Sequence, residues 1–302
     1  MGEENYHIPA LFNEALDGLD IKAGGVYVDV TFGGGGHSRG ILSRLDETGH
    51  QYGFDRDMDA YANVPDDERF TFVHSNYRYL SNFLRYHGVE KVDGILADLG
   101  VSFHHFDSAE RGFSFRSDAP LDMRMNRRGG RTAADILADY DEQQLCSLLR
   151  TYTDLKKPNQ IAKTLIAGRG KSPITTTFEL VEAVRPVLNP RQEKKDLAQV
   201  FQALRIEVNS EMDALRHFLT STIDEIKPGG RLAVITYHSI EDRIVKNFIK
   251  TGNVEGIEEK DFFGRVATPW RPVTRSPIVP SEEEIERNPR SRSAKLRIAE
   301  RI

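Results

Sequence analysis

The chain has 302 residues, enough at roughly 150 per domain for one large domain or two ordinary ones. With 39% hydrophobic and 29% charged residues it reads as globular rather than disordered or fibrous, and no apolar run approaches the roughly 18 residues of a membrane helix. A net charge of −5, from 41 Lys and Arg against 46 Asp and Glu, excludes a uniformly basic nucleic-acid binder.

Strand and helix signals alternate over the first hundred residues. Val26-Tyr27-Val28-Asp29-Val30 is a short apolar run that ends in a glycine cluster, followed by a helical segment near Ser38 to Leu45. Gln51 to Asp55, Phe70 to Val73 and Val92 to Asp98 read as further strands, the last preceded by a helical stretch from Leu80 to Tyr86. Such alternation predicts a parallel sheet with helices on both faces.

From about Ser108 to Met212 strand signals vanish and helix starts accumulate. Asp141 with Gln144 and Thr176 with Glu179 resemble capping boxes. Leu145, Leu148, Leu149 and Tyr152 share one helix face, as do Leu197, Val200, Phe201 and Leu204. The α/β pattern then returns with a helix from about Ser210, capped by Asp213 and stopped by Pro228-Gly229-Gly230, and a strand from Arg231 to Tyr237. Ser239 with Asp242 opens another helix, with Ile244, Val245, Phe248 and Ile249 as its buried face. A Pro- and Arg-rich loop from Thr268 to Pro280 and a last strand from Ala294 to Ala299 complete the chain. The expected organisation is one discontinuous α/β domain, residues 1–107 and 213–302, with a helical insertion at 108–212.

The segment Val30-Thr31-Phe32-Gly33-Gly34-Gly35-Gly36-His37-Ser38 sits where the first strand hands over to a helix, a place where glycines let a ligand approach the backbone. The dinucleotide pattern G-x-G-x-x-G fails, because Ser38 or Arg39 stands at its last position. A P-loop fails as well, because Ile41 stands where lysine is required. The remaining common ligand for such a turn is S-adenosylmethionine, which asks for close backbone and carboxylates instead of a phosphate cradle; the alternative is a flexible turn with no ligand. Asp55 ends the second strand at a spacing that suits ribose hydroxyls, Asn76-Tyr77 follows the third, and Asp98 ends the fourth. All lie at carboxyl ends of strands, where open α/β sheets bind ligands.

The single Cys146 can form neither an internal disulfide nor a multi-cysteine zinc site. The acidic N-terminus lacks the basic flank and apolar stretch of a secretory signal, so a cytoplasmic location is expected.

Thr31 to Ser38, Asp98-Leu99-Gly100-Val101-Ser102, Glu110 to Phe115, Leu121-Asp122-Met123-Arg124-Met125, Phe201 to Ile206, Tyr237 to Arg243 and Arg292 to Arg297 together resemble the small-subunit ribosomal RNA (cytosine-N4) methyltransferase family, also called RsmH or MraW. The resemblance runs from about His7 to Arg301. It implies a class I, Rossmann-like methyltransferase fold with an inserted all-helical domain for substrate recognition. It implies S-adenosylmethionine as donor and a cytidine in the decoding region of the small-subunit (16S) ribosomal RNA as target. By position, the cofactor residues would be Gly35, Gly36, His37, Asp55, Tyr77, Asp98 and His105. His105 departs from the family, in which Ser-Pro-Gln-Leu-Asp more often stands where this chain has Phe103-His104-His105-Phe106-Asp107. Tyr237 replaces a more frequent phenylalanine.

Methyl transfer needs an in-line nucleophile, and the cytosine N4 lone pair is delocalised, so acceptors for its N–H bonds are required. Asp98 is the expected catalytic group, with His238 at the rim orienting RNA; the alternative for His238 is a loop residue beside a Ser239–Asp242 capping box. The adjacent His104 and His105 lack the spacing of a metal site. The target base must be unpaired or flipped, with Phe103, Phe113, Phe115 and Trp270 as stacking candidates. Competing readings are a non-catalytic ribosome-assembly factor and a methyltransferase acting on another substrate.

The net acidity conceals two basic stretches. Residues 111–131 carry six arginines against Asp118 and Asp122. Residues 265–302 carry eight arginines and Lys295 against five glutamates. Arg111, Arg124, Arg127, Arg128, Trp270, Arg271 and Arg292 are the expected RNA contacts. No membrane or obligate protein partner is expected, and a homodimer stays open.

Overall fold

The computed structural model describes residues 9–100, 109–260 and 262–302. The described residues of Met1–Gly100 and Asp213–Ile302 form one compact unit, and those of Val101–Met212 a second.

In the first unit, α1 (Phe12–Gly18) precedes β1 (Val26–Asp29), α2 (Gly36–Leu42), β2 (His50–Asp55), β3 (Phe70–His74), α3 (Leu80–Tyr86) and β4 (Val92–Asp98). After the insertion come α9 (Glu211–Glu225), β5 (Ile226–Thr236), α10 (Ser239–Thr251), β6 (Trp270–Pro272), α11 (Glu282–Arg287) and β7 (Lys295–Arg301). The seven strands lie in the order β3-β2-β1-β4-β5-β7-β6, and β7 alone runs against the rest. That order with that single reversal is the class I methyltransferase fold. Ile95, Leu96 and Ala97 of β4 and Leu232 to Ile235 of β5 are wholly buried, as continuous apolar runs in a sheet covered on both faces must be.

Two sequence expectations are corrected here. Ser210 is the left-handed residue that closes the preceding helix, with φ 49°, and Asp213 lies in the first turn of α9, where it pairs with Arg78 at 2.9 Å. Pro228-Gly229-Gly230 does not stop a helix but lies within β5. Val92 faces Ile226 and Gly94 faces Arg231, so residues 227–230 bulge against Asp93 alone. Gly229 has φ 79°, and a Cβ on Gly230 would sit 2.8 Å from the Asp93 carbonyl oxygen. The Asp93 carboxylate pins the bulge by accepting bonds from Lys227 Nζ and the Val26 N–H, both at 2.8 Å.

The second unit holds α4 (Ala133–Asp139), α5 (Glu142–Tyr152), α6 (Pro158–Arg169), α7 (Thr177–Val184) and α8 (Glu193–Asn209). Capping boxes open α4 at Thr132 and Asp135, α5 at Asp141 and Gln144, and α7 at Thr176 and Glu179. Leu145, Leu148, Leu149, Leu197, Val200, Phe201 and Leu204 meet in its core, with Phe113 buried and Phe115 partly buried against Phe201. Two residues tie down the loop that precedes α4. Asn209 accepts from the Met125 N–H at 2.9 Å and donates to the Met123 carbonyl at 2.8 Å. The Arg111 guanidinium donates to the carbonyls of Arg124 and Met125 at 2.8 and 2.9 Å. No helix among the described residues is long and apolar enough to cross a membrane.

The Thr268–Pro280 segment, expected as loop, contains β6, and Trp270 on it is 1% exposed with its ring 5.7 Å from that of Phe248 on α10. Trp270→Ala is expected to destabilise the sheet unit by about 3–5 kcal/mol, the usual cost of emptying a large aromatic site. Urea unfolding followed by circular dichroism measures it, and a loss below about 1 kcal/mol would contradict the burial.

Candidate active site

Asp29, at the end of β1, turns its carboxylate into the protein. Its Oδ1 accepts from the Thr31 N–H at 3.0 Å and its Oδ2 from Ser38 Oγ at 2.7 Å, so one buried side chain holds both ends of the glycine turn. Gly33 and Gly35 inside that turn have φ 51° and 75°, and a Cβ on Gly35 would lie 2.5 Å from the Arg39 guanidinium and 3.0 Å from the Phe32 ring. A Cβ on Gly36 would lie 2.8 Å from Pro9. Gly34 faces open space. Asp55, at the end of β2, accepts from the N–H groups of Gly33 and Asp57, both at 2.8 Å, and so registers the turn against the neighbouring strand.

Asp98 ends β4. Its N–H donates to Thr31 Oγ1 at 2.6 Å, and Thr31 Oγ1 lies 3.4 Å from Asp29 Oδ1, so the hydroxyl bridges the ends of two adjacent strands. Asp98 Oδ1 accepts from the Tyr237 hydroxyl at 2.9 Å, and Oδ2 lies 3.7 Å from Nδ1 of the buried His37. Burial pushes the Asp98 carboxyl up to about 7, against the Tyr237 hydrogen bond and with help from the charges of Asp29 and Glu241. Burial likewise raises Asp29 to about 6 and lowers His37 to about 4, so the imidazole is neutral near pH 7. Among the described residues neither aspartate has an arginine or lysine within ion-pair distance. Such a set suits hydroxyls and a positively charged ligand better than phosphate, and close backbone with two strand-end carboxylates fits a nucleoside carrying a sulfonium and an amino acid.

Tyr77 follows β3 beside Asn76, which caps the next turn by accepting from the Arg78 N–H at 3.0 Å; the Tyr77 ring packs edge-on against Phe218 at 5.4 Å. The first unit therefore brings Gly35, Gly36, His37, Asp55, Tyr77 and Asp98 to the carboxyl edge of one sheet. Phe103, His104, His105 and Asp107 lie outside the described residues. Among those described, no group of three or more His, Cys, Asp or Glu side chains could hold a metal ion.

The expected Ser239–Asp242 capping box is corrected. His238 is the N-cap of α10, its Nδ1 accepting from the Glu241 N–H at 3.4 Å, while its Nε2 lies 3.0 Å from Glu241 Oε1 without the alignment of a hydrogen bond. Asp242 instead binds the Arg297 guanidinium at 2.7 and 3.2 Å. His238 is thus held by its own helix start, with its side chain 11% exposed.

The expected RNA contacts divide by burial. Trp270 and Arg111 are core side chains, 1% and 4% exposed, which overturns their expected availability. Arg124 makes a fork with Asp122 at 2.7 and 2.8 Å, and Arg271 pairs with Glu300. Arg127, Arg128 and Arg292 are exposed.

The sequence pattern alone assigned no site role to Asp29 or Tyr237, whose carboxylate and hydroxyl the structure places beside Thr31 and Asp98. Asp29 could have been found by the rule that found Asp55 and Asp98, since it too ends a strand. Tyr237 carries no local signal, because its partner is 139 residues away.

The pH dependence of folding follows from the buried groups. Asp29 and Asp98 hold protons more tightly in the folded protein than an ordinary aspartate, so their contribution to stability falls as pH rises from about 4 to about 7. His37 binds its proton less tightly when folded, so it acts in the opposite sense between about 4 and 6.5. Asp98→Asn should therefore raise the thermal unfolding midpoint near pH 8 and change it little near pH 4. Calorimetry at both values checks this, and an equal shift at the two would refute it.

The MraW methylase family matches residues 4–302. A ribosomal RNA small subunit methyltransferase H from Phocaeicola vulgatus is 59% identical over 98% of this chain and 97% of its own length. The protein of the same name from Porphyromonas gingivalis is 54% identical over 99% and 98%. A match over nearly the whole length at such identity leaves one assignment: the chain belongs to the MraW methylase family, that of ribosomal RNA small subunit methyltransferase H.

Proposed function

We propose that this protein transfers a methyl group from S-adenosylmethionine to N4 of a cytidine in the decoding region of 16S ribosomal RNA within the small subunit. The observation that carries the reading is Asp98, a partly buried carboxylate at the end of β4 with its side chain 20% exposed, one oxygen held by a phenol, no cationic partner among the described residues, and a proton affinity lifted to about 7. Such a group can both take and release a proton near neutral pH.

The donor supplies an electrophilic methyl on a sulfonium. The residues named above would hold it: the Gly33–Gly36 turn against its backbone-facing side, Asp55 toward its hydroxyls, Tyr77 and His37 as flanking rings. Asp98 Oδ2 accepts a hydrogen bond from the exocyclic amine, which turns the N4 lone pair out of conjugation and toward the methyl carbon. Accepting the donor's methyl would leave the nitrogen with one proton too many, and the ionised Asp98 carboxylate would receive it. Asp98 then passes that proton to water. The helical unit is assigned to holding the RNA, through exposed cations such as Arg127 and Arg128 that neutralise phosphate.

Purified protein incubated with labelled donor and small subunits lacking the modification should yield N4-methylcytidine on nucleoside mass analysis. Another methylated nucleoside, or none despite donor binding, would overturn the assignment. Asp98→Asn should lower kcat by about 10²–10⁴, the usual span for losing a proton acceptor. In RNA binding, Arg127→Ala with Arg128→Ala should reduce the slope of log affinity against log salt by about 2, one for each phosphate no longer neutralised. An unchanged slope would remove these two side chains from the interface.

A further inference from the structure

We propose that Tyr237 is the positioning residue for Asp98: its hydroxyl occupies Oδ1 so that Oδ2 alone is presented to the acceptor amine. The proposal rests on the reading that Asp98 accepts the proton of that amine.

The backbone of Asp98 is fixed on both sides, by its own N–H donating to Thr31 Oγ1 at 2.6 Å and by the Leu99 N–H donating to the Ile235 carbonyl at 2.9 Å. What stays free is rotation of the carboxylate about its last torsion, which has a broad two-fold profile and would exchange the two oxygens. The Tyr237 hydroxyl ends that freedom by donating to Oδ1 at 2.9 Å. His37 Nδ1, 3.7 Å from Oδ2, is too distant to hydrogen-bond that oxygen, which leaves it available.

Tyr237 is itself held. It follows β5 directly, and its N–H donates to Oε2 of Glu241 at 3.1 Å, a carboxylate 2% exposed on α10. Its ring runs past Gly100, where a Cβ would stand 3.4 Å from Cδ2 and where φ is 111°. The phenol is thus aimed by a strand, a helix start and a glycine.

The groups facing Asp98 come from three elements and from the turn after β5. Asp29 on β1 and Glu241 on α10 are carboxylates that disfavour its charge. His37 on α2 is neutral near pH 7, with burial as the cause. Tyr237 is held protonated by burial and by Asp98 itself, so it donates across the whole working range. Among the described residues the phenol is the single side chain that donates a hydrogen bond to this carboxylate, and such a bond favours the charged form.

Tyr237→Phe should then raise the acid limb of the kcat/KM profile by about one pH unit. From a starting value of about 7, that lowers activity about fivefold at pH 7 and less than twofold at pH 9. A purely structural role would instead scale the profile down at every pH. The companion measurement is the carboxyl carbon-13 titration of Asp98 by NMR in donor-free protein, assigned by difference from Asp98→Asn. It should move upward in Tyr237→Phe. Replacement of Tyr237 by 3-fluorotyrosine keeps the hydroxyl as a stronger donor, so it should move the limb and the titration downward, and it tests the idea even if Tyr237→Phe folds poorly. Unmoved titration in the fluorotyrosine protein, or an activity loss independent of pH in Tyr237→Phe, overturns the proposal. A product other than N4-methylcytidine would overturn the assigned reaction while leaving the titration result standing.

Discussion

Two carboxylates, the buried Asp29 and the partly buried Asp98, stand at the carboxyl ends of adjacent parallel strands with no lysine or arginine beside them among the described residues. Uncompensated burial of this kind is costly, and the surrounding structure is arranged around tolerating it. Thr31 bridges the two ends, Ser38 and the Thr31 N–H satisfy Asp29, and Tyr237 satisfies one oxygen of Asp98. Proton affinity rises where hydrogen bonds fall short, and a group poised near neutrality is the result.

The same arrangement explains the glycine turn. Asp29 and Asp55 draw the backbone from 31 to 38 inward from two strands, which forces Gly33 and Gly35 into positive φ and brings Gly36 against Pro9. Side chains are excluded there by neighbouring atoms on the protein side. Gly34 is the exception, since a Cβ there would meet nothing within 4 Å.

In the helical unit, positive charge serves two ends. Arg111 and Arg205 are fixed parts of the fold, the first on backbone carbonyls and the second on Glu211 at 2.8 and 2.9 Å, while Arg127 and Arg128 stand in solvent. A cation that satisfies a buried carbonyl cannot turn to a phosphate without breaking the loop it ties. Local charge density treats these arginines alike, and that is why Arg111 looked like an RNA contact; Trp270 looked like one because its segment read as loop, whereas it lies on β6.

Local features were legible from residue order alone. The strands before Gly100, α3 from Leu80 to Tyr86, and the capping boxes at Asp141 and Thr176 each depend on residues within a few positions of one another, so their chemistry is complete in a short window. Asp55 and Asp98 were found because strand ends are local too. Where the same local signs had two meanings, residue order did not decide: Pro228-Gly229-Gly230 is a helix stop or a bulge depending on whether Asp93 lies opposite, and the cap of α10 is Ser239 or His238 depending on where that helix begins. The amino-acid sequence by itself determined the alternation of strands, the glycine turn, the strand-end acids and the family. Only the tertiary structure decided that Tyr237 meets Asp98 and that Trp270 and Arg111 are interior, because burial and pairing are set by partners far away in the chain.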